Sequence, residues 1–190
     1  MKKSLGAKTL VCPTPLFVVG TYNDDGRPNV MAAAWCGICN SKPPSVAISL
    51  RKATLTYGNL LKRKAFTVSI PSENYVRQAD FFGLASGRDL DKLAAAGLSA
   101  VPSDLTDAPY VAEFPLVLEC RVVHTFELGL HTQFVGQILD VKADPAALDA
   151  DGCLDIQKMQ PVSYIPDSRA YFGIGRYLGR AFEIGKSLQP

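Results

Sequence analysis

Short apolar runs closed by polar turns dominate the chain, and sustained helical periodicity is rare. Runs rich in β-branched and aromatic residues predict six strands, over residues 16–22, 28–38, 46–50, 65–70, 116–126 and 134–142. The Asn-Asp-Asp-Gly segment at 23–26 joins the first two runs and is typical of a hairpin turn. A shorter strand-like pair lies at 171–172 in the C-terminal tail.

Helical spacing is confined to three stretches, at about 55–64, 74–82 and 88–96. Thr54 or Thr56 is suited to cap the first helix, and Gly97 to end the third. Because strands do not alternate regularly with helices, a doubly wound nucleotide-binding sheet is not expected. The pattern predicts one domain over residues 1–190, mainly β, in which a β-barrel carries α-helices as decoration.

Composition and charge narrow the possible function classes. The 190 residues are 47% hydrophobic and 20% charged, as in an ordinary soluble domain. A formal net charge of +2 gives no reason to expect a nucleic acid or an acidic membrane as partner. No apolar stretch reaches the roughly 20 residues that span a bilayer, and Pro13 and Pro15 interrupt the apolar run near the start. We therefore expect a cytoplasmic protein.

Hydroxyl and cationic side chains gather where the third predicted strand meets the first predicted helix: Ser49, Arg51, Lys52, Thr54 and Thr56. Arginine offers a planar set of donors, and a helix that begins here adds free backbone N–H groups, so the segment could hold a phosphate. The alternative is an ordinary helix cap beside a solvated basic turn.

A run of small residues, Ala32 to Ala34, precedes Trp35, the one tryptophan of the chain. Small side chains let a flat ring lie against the backbone, where N–H groups can reach the ring's polar atoms. A flat ring joined to a phosphate describes flavin mononucleotide (FMN). The alternative is a tightly packed strand crossing, with Trp35 in the core or in a subunit interface.

Five scattered cysteines do not form a disulfide framework. Cys36 and Cys39 form a single C-x-x-C, which could indicate zinc or a redox-active pair. Positions i and i+3 of a strand point to opposite faces, so we expect the two sulfurs to diverge and most of the cysteines to be buried thiols.

Other motifs are weaker. The glycine-rich segment 173–179 has the wrong spacing for a dinucleotide loop and is expected to form a turn. His124 and His131 are the two histidines, and no nucleophile elbow or paired acidic motif accompanies them, so hydrolase chemistry is not favoured. His131 is interpreted either as a surface histidine or as a residue near a ligand.

Several short motifs occur together in a specific order along most of the chain. They are Gly26 with Asn29, Ala33-Ala34-Trp35, Pro43-Pro44, Ser49-Leu50-Arg51, Thr56-x-x-Asn59, Ser86-Gly87-Arg88 with Asp91-Lys92, and Gly129-x-His131 with Phe134-Val135-Gly136. In this order and spacing the chain resembles the flavin reductase-like, FMN-binding split-barrel family, and most of all its flavoredoxin-like members.

The resemblance implies a six-stranded antiparallel FMN-binding split barrel, assembled as a homodimer with one FMN per subunit near the interface. It implies that the flavin ring is lined by Ala33, Ala34, Trp35 and Cys36. It implies that the ribityl chain and phosphate are held by Ser49, Leu50, Arg51, Lys52, Thr54 and Thr56, together with Ser86, Gly87 and Lys92 from the following turn and helix.

The implied function is an FMN electron carrier that docks with redox partner proteins. One alternative is an NAD(P)H-dependent flavin reductase, which would bind NAD(P)H as well. Another is a non-redox flavin-binding protein. No catalytic acid or base and no metal are expected, because the flavin itself carries the chemistry.

Overall fold

The computed structural model describes residues 1–188, and strands dominate it. The strands are β1 (Thr14–Pro15), β2 (Phe17–Tyr22), β3 (Pro28–Ala33), β4 (Cys36–Ser41), β5 (Pro44–Arg51), β6 (Ala65–Ile70), β7 (Ala100–Pro102), β8 (Pro109–Val111), β9 (Leu116–Leu128), β10 (His131–Ala143), β11 (Val162–Ile165) and β12 (Ala170–Gly173). The α-helices are α1 (Leu55–Arg63), α2 (Val76–Leu84), α3 (Lys92–Ala96) and α4 (Ile156–Met159). Short 3-10 helices cover Glu73–Tyr75, Pro145–Ala147 and Lys186–Leu188. The predicted mainly-β class is confirmed.

The main sheet has seven antiparallel strands in the order β3-β2-β6-β9-β10-β5-β4. Its two outermost strands, β3 and β4, are consecutive in the chain and are joined by Ala34 and Trp35. The Ser49 backbone N–H donates to the Trp35 carbonyl at 2.9 Å, and β3 contacts β5. The sheet therefore curls until its edges meet, which makes it a barrel.

The sheet has seven strands rather than the predicted six because the run at 28–38 is two strands. The chain crosses from one sheet edge to the other at Ala34 and Trp35, so pairing stops after Ala33 and resumes at Cys36. Periodicity of apolar residues does not reveal such a crossing, because both halves remain strand-like.

The barrel interior holds the larger of two apolar clusters. Val46, Ile48, Phe66 and Phe134 are fully buried there. Gly136 lies against the ring of Phe66, where an added Cβ would overlap the ring atoms. The close approach of β10 to this ring thus depends on glycine.

A second apolar cluster covers the outside of β2 and β3. Helices α2 and α3 contribute Ala79, Phe82 and Leu93, which pack against Val18 and Val30. This layer brings the segment 76–96 onto the outer face of the barrel. No helix within residues 1–188 is both long and apolar enough to cross a membrane.

Helix boundaries follow local capping chemistry. Thr54 caps α1 by accepting a hydrogen bond from the Tyr57 N–H at 3.3 Å, and Gly97 ends α3 in a left-handed conformation, as predicted. The helix predicted over 88–96 begins only at Lys92, because Asp91 caps it by accepting from the Ala94 N–H at 3.0 Å. Sequence periodicity placed this helix start too early.

Candidate functional site

A cleft of about 300 Å³ lies between the end of β5, the start of α1 and the turn that follows α2. It is lined by Asn29, Met31, Arg51, Ala53, Thr54, Leu55, Thr56, Phe82, Gly83, Ala85, Ser86, Gly87, Arg88 and Lys92. We call it the phosphate cleft. Six of the residues expected to hold the ribityl chain or phosphate line it: Arg51, Thr54, Thr56, Ser86, Gly87 and Lys92.

Lys92 is the most unusual side chain of the phosphate cleft. It is only 5% exposed, and its ammonium group donates to the carbonyls of Phe82 and Ala85, both at 3.2 Å. Burial lowers the pKa of Lys92 to about 8. Within residues 1–188 no carboxylate forms a salt bridge with it, so the structure buries a cation without a counter-charge.

The charged side chains that line this cleft are all positive. Arg51, Arg88 and Lys92 line it, and none of the described lining residues is acidic. The Arg88 guanidinium donates to the Ala53 carbonyl at 2.9 Å, which fixes it beside the start of α1. Three cations without an acid favour a multiply charged anion such as a phosphate.

The start of α1 adds neutral donors. The first N–H groups of a helix have no partner inside the helix, and α1 begins directly at the cleft wall. Thr56, in the first turn, is 1% exposed, and its hydroxyl accepts from the Asn29 amide at 3.0 Å. Hydroxyl and backbone donors therefore face the cleft beside the cations.

A second cleft of about 250 Å³ adjoins the first and shares Met31, Arg51, Thr54 and Gly83 with it. We call it the ring cleft. Its wall comprises Met31, Ala32, Ala33, Ala34, Trp35, Ser49, Leu50, Arg51, Thr54, Gly83, His131 and Tyr164. The alanine run therefore forms a wall of small side chains continuous with the phosphate cleft, as a flat ring joined to a phosphate requires.

Two of the candidate residues line neither cleft. Lys52 forms an ion pair with Glu127, which raises the pKa of the lysine, and its side chain is 54% exposed. Cys36 is half-buried and packs against the barrel core. Leu50 borders the ring cleft, although its side chain is 2% exposed and belongs to the core.

Of the five cysteines, all within the described residues, Cys120 alone is buried, so the prediction that most are buried thiols is wrong, and Cys36 and Cys39 differ in exposure. Burial raises the pKa of Cys36 to about 12, so its thiolate is disfavoured at neutral pH. Cys39 is exposed, and its sulfur donates to the Ser45 carbonyl at 3.5 Å. Among the described residues no group of three or more His, Cys, Asp or Glu side chains could hold a metal ion.

Several lining residues are not among the predicted cofactor contacts, and His131 is predicted only as one of two alternatives, a surface histidine or a residue near a ligand. Met31 and Gly83 lie where the two clefts meet, and an added Cβ at Gly83 would be 3.3 Å from the Ala32 Cβ. His131 faces Arg51 across the β10–β5 register and borders the ring cleft. Its place in the Gly129-x-His131 motif was the available signal, whereas Tyr164 on β11 carried none.

The matching family model is that of the flavin reductase like domain, which covers residues 9–170. A solved flavoredoxin of Desulfovibrio vulgaris (Miyazaki F) is 56% identical, with a TM-score of 0.94 over 98% of this chain and 100% of that one. A flavoredoxin from Methanosarcina acetivorans is 31% identical, with a TM-score of 0.91 over 99% of this chain and 100% of that one.

A high molecular weight rubredoxin of Moorella thermoacetica is 30% identical over 102 residues, which are 53% of this chain and 43% of that protein. Among solved structures below 25% identity, a Shewanella frigidimarina protein described as a putative flavin reductase with a split barrel domain has a TM-score of 0.81 at 22% identity, covering 95% of this chain and 98% of that one. The likeness confirms the split-barrel fold. Because the family model spans most of the sequence, the chain belongs to the flavin reductase-like domain family.

Proposed function

We propose that this chain binds FMN and carries electrons between redox proteins. The observation that carries the proposal is the buried Lys92 ammonium, which has carbonyl partners but no carboxylate and lies in a cleft lined by two further cations. Burying a charge without a counter-charge is costly, so a phosphate that completes the site would offset that cost.

The two adjoining clefts fit the two halves of FMN. Arg51, Arg88, Lys92 and the start of α1 suit the phosphate, and the wall of Ala33, Ala34 and Trp35 suits the ring. A dinucleotide would need further room beyond the phosphate cleft. The compact arrangement of the three cations therefore favours the mononucleotide.

Bound FMN would supply the redox chemistry, and the protein would supply position and electrostatics. Arg51 lines both clefts, so its charge would favour an electron-rich ring as well as the phosphate. Trp35 is 36% exposed at the edge of the ring cleft. An exposed edge gives electrons a short path to a partner protein.

The relatives support a carrier role through their names. Two solved structures that match over nearly the whole chain are flavoredoxins, and the Moorella relative is a rubredoxin. We extend this redox role to the present chain because the match to the Desulfovibrio protein, at 56% identity, extends over 98% of this chain. The physiological partners would be redox proteins.

We further propose that the protein is a homodimer. Ile38 on β4 and three apolar residues at the β9–β10 end of the barrel, Phe126, Leu128 and Leu130, are 51–69% exposed. His131, which borders the ring cleft, follows directly after Leu130. A second copy that covers these side chains would also shelter the ring. Sedimentation equilibrium of the FMN-loaded protein tests this assembly.

An NAD(P)H-dependent flavin reductase is the second candidate. A further cleft of about 310 Å³ flanks the same alanine run and is lined by Tyr164, Arg169 and Tyr171, among others. Open space beside the ring cleft would suit the nicotinamide, and Arg169 and Asp80 both line this space, so its charge is mixed.

Anaerobic stopped-flow mixing of the FMN-loaded protein with NADH and then NADPH separates the candidates. A carrier keeps its flavin absorbance with both nucleotides but loses it with dithionite or a reduced redox protein. Rapid bleaching by either nucleotide would establish the reductase instead. A coloured complex that no reductant bleaches would indicate a non-redox flavin-binding protein, and a protein that takes up no FMN would refute all three.

A further inference from the structure

A buried chain of amides and hydroxyls leads from the β2–β3 hairpin to the phosphate cleft. The Asn59 amide nitrogen donates to Asn23 Oδ1 and to Thr21 Oγ1, both at 3.0 Å. The Asn29 amide nitrogen donates to Thr56 Oγ1 at 3.0 Å and to Thr21 Oγ1 at 3.5 Å. All five residues are at most 9% exposed, so water does not compete for these bonds.

The direction of these bonds matters for Thr56. Because its oxygen accepts from Asn29, its own hydroxyl proton is free to point elsewhere. Thr56 lines the phosphate cleft and lies in the first turn of α1. The Asn29 amide thus leaves Thr56 as a donor toward the cleft, which is the polarity that a phosphate oxygen needs.

The other end of the Asn29 amide is unsatisfied. Asn29 is 4% exposed, and its Oδ1 is a buried oxygen without a hydrogen-bond partner among the described residues. A buried polar atom without a partner is costly, and folding alone gives no reason to retain it. Asn29 also lines the phosphate cleft, but Oδ1 can only accept a hydrogen bond and does not suit a phosphate oxygen, so the donor that this residue provides to the site is the Thr56 hydroxyl.

Gly87 holds this amide in place. A Cβ added at Gly87 would overlap Asn29 Oδ1. The Ser86-Gly87 turn therefore packs directly on the amide, which leaves Asn29 between the turn and Thr56. The amide has little freedom to move away from the threonine.

We propose that Asn29 is a positioning residue for the phosphate: it acts through Thr56, whose hydroxyl it orients as a donor to the ligand. The proposal rests on the proposed function, since it assumes that this cleft holds the FMN phosphate. Asn29 then contributes to phosphate affinity and not to recognition of the flavin ring.

The test compares FMN with riboflavin, which lacks the phosphate, in Asn29→Ala, Thr56→Val and the double variant, by fluorescence titration. Loss of one oriented donor to a charged group should weaken FMN binding about 10- to 100-fold in Asn29→Ala. Riboflavin binding should stay within about twofold of that of the unmodified protein. Adding Asn29→Ala to Thr56→Val should cost FMN affinity little more than Thr56→Val alone.

Two further variants keep the result interpretable. Ser69→Ala removes a buried hydroxyl that accepts from the Val111 N–H at 3.3 Å, away from both clefts, and should leave both affinities unchanged. If Asn29→Ala does not fold, the nearly isosteric Asn29→Asp replaces the donor by an acceptor and should weaken FMN binding even more strongly, again without loss of riboflavin.

The outcomes separate the two proposals. If the unmodified protein binds riboflavin as tightly as FMN, the phosphate assignment fails. If it prefers FMN but Asn29→Ala keeps the same preference, or loses both ligands equally, Asn29 has no positioning role. Additive losses in the double variant would show that Asn29 acts independently of Thr56 and would overturn the inference as well.

Discussion

Replacing Lys92 by Met should have opposite effects on the free protein and on FMN binding. Methionine has a similar length and is apolar, so it can fill the space among Phe82 and Ala85 without a buried charge. The free protein should be at least as stable as before. FMN affinity should fall, because one of the three cations of the phosphate cleft is lost.

The size of both effects follows from the burial of Lys92. Burial lowers its pKa from 10.5 to about 8. At about 1.4 kcal/mol per pKa unit, this disfavours the charged form by roughly 3 kcal/mol relative to the neutral form. The two hydrogen bonds to the carbonyls, which methionine cannot donate, favour lysine by about 2 kcal/mol. We therefore expect Lys92→Met to stabilise the free protein by about 1 kcal/mol, and FMN affinity to fall about 10- to 100-fold.

The same reasoning fixes the dependence of stability on pH. Below pH 8 the lysine is charged in the folded and unfolded chains, and its burial cost is fully present. Between pH 8 and 10.5 the folded chain loses the proton first, so the unmodified protein should become more stable as the pH rises. The stability advantage of Lys92→Met should disappear and then reverse over this interval, because the roughly 3 kcal/mol recovered on deprotonation exceeds the expected advantage of about 1 kcal/mol. FMN affinity should decrease as the pH rises above 8.

Urea unfolding of the FMN-free proteins, followed by titration with FMN and riboflavin, measures both effects. Lys62→Met is the matched control, because this lysine is exposed and pairs with Asp24 outside both clefts. Destabilisation of Lys92→Met by more than about 2 kcal/mol, combined with unchanged FMN affinity, would show that Lys92 is a structural residue and would refute the argument.

Three further predictions concern the phosphate cleft, the thiols and a buried acid. Replacing Arg51 and Thr56 together by Ala should weaken FMN binding at least 100-fold but spare most riboflavin affinity; equal losses in both titrations would contradict this. Replacing Cys36 and Cys39 by Ser should leave flavin reduction and reoxidation unchanged in stopped flow, and loss of turnover with flavin still bound would give the pair a redox role. Burial disfavours the charged form of Glu119, but hydrogen bonds from Lys142 and neighbouring groups hold its pKa below the ordinary value. Glu119→Gln should therefore lower the free energy of unfolding by about 2 kcal/mol at pH 7 and by less in acid. A loss that does not depend on pH in urea unfolding would exclude the ion pair.

Much of the fold was predictable because its signals are local. The strand over residues 65–70 was predicted at its observed bounds, and the turn at 23–26 and the glycine that ends α3 are set by short-range chemistry. The crossing at Ala34 and Trp35 was not predictable, because it depends on which sheet edges meet. The alternation of hydrophobic and polar residues is the same before and after this crossing.

The candidate site was partly predictable for a similar reason. Arg51, Thr54 and Thr56 are close together in sequence and remain close in space, at the junction of β5 and α1. Lys52 is their neighbour in sequence, but successive strand and turn residues point in different directions, and Glu127 pairs with it outside the clefts. The chemistry of the Lys52 side chain alone gives no reason to exclude it from the predicted phosphate contacts.

Long-range packing explains what the sequence could not show. Lys92 reads as an ordinary exposed lysine at a helix start, and only the docking of α2 and α3 on β3 makes it a buried cation. The same docking places Gly87 against Asn29. Because the Lys92 charge is costly to bury without a counter-charge, a bound phosphate should stabilise the fold as well as occupy the cleft. The free energy of unfolding should therefore rise with FMN concentration, by the amount that linkage sets from the FMN affinity.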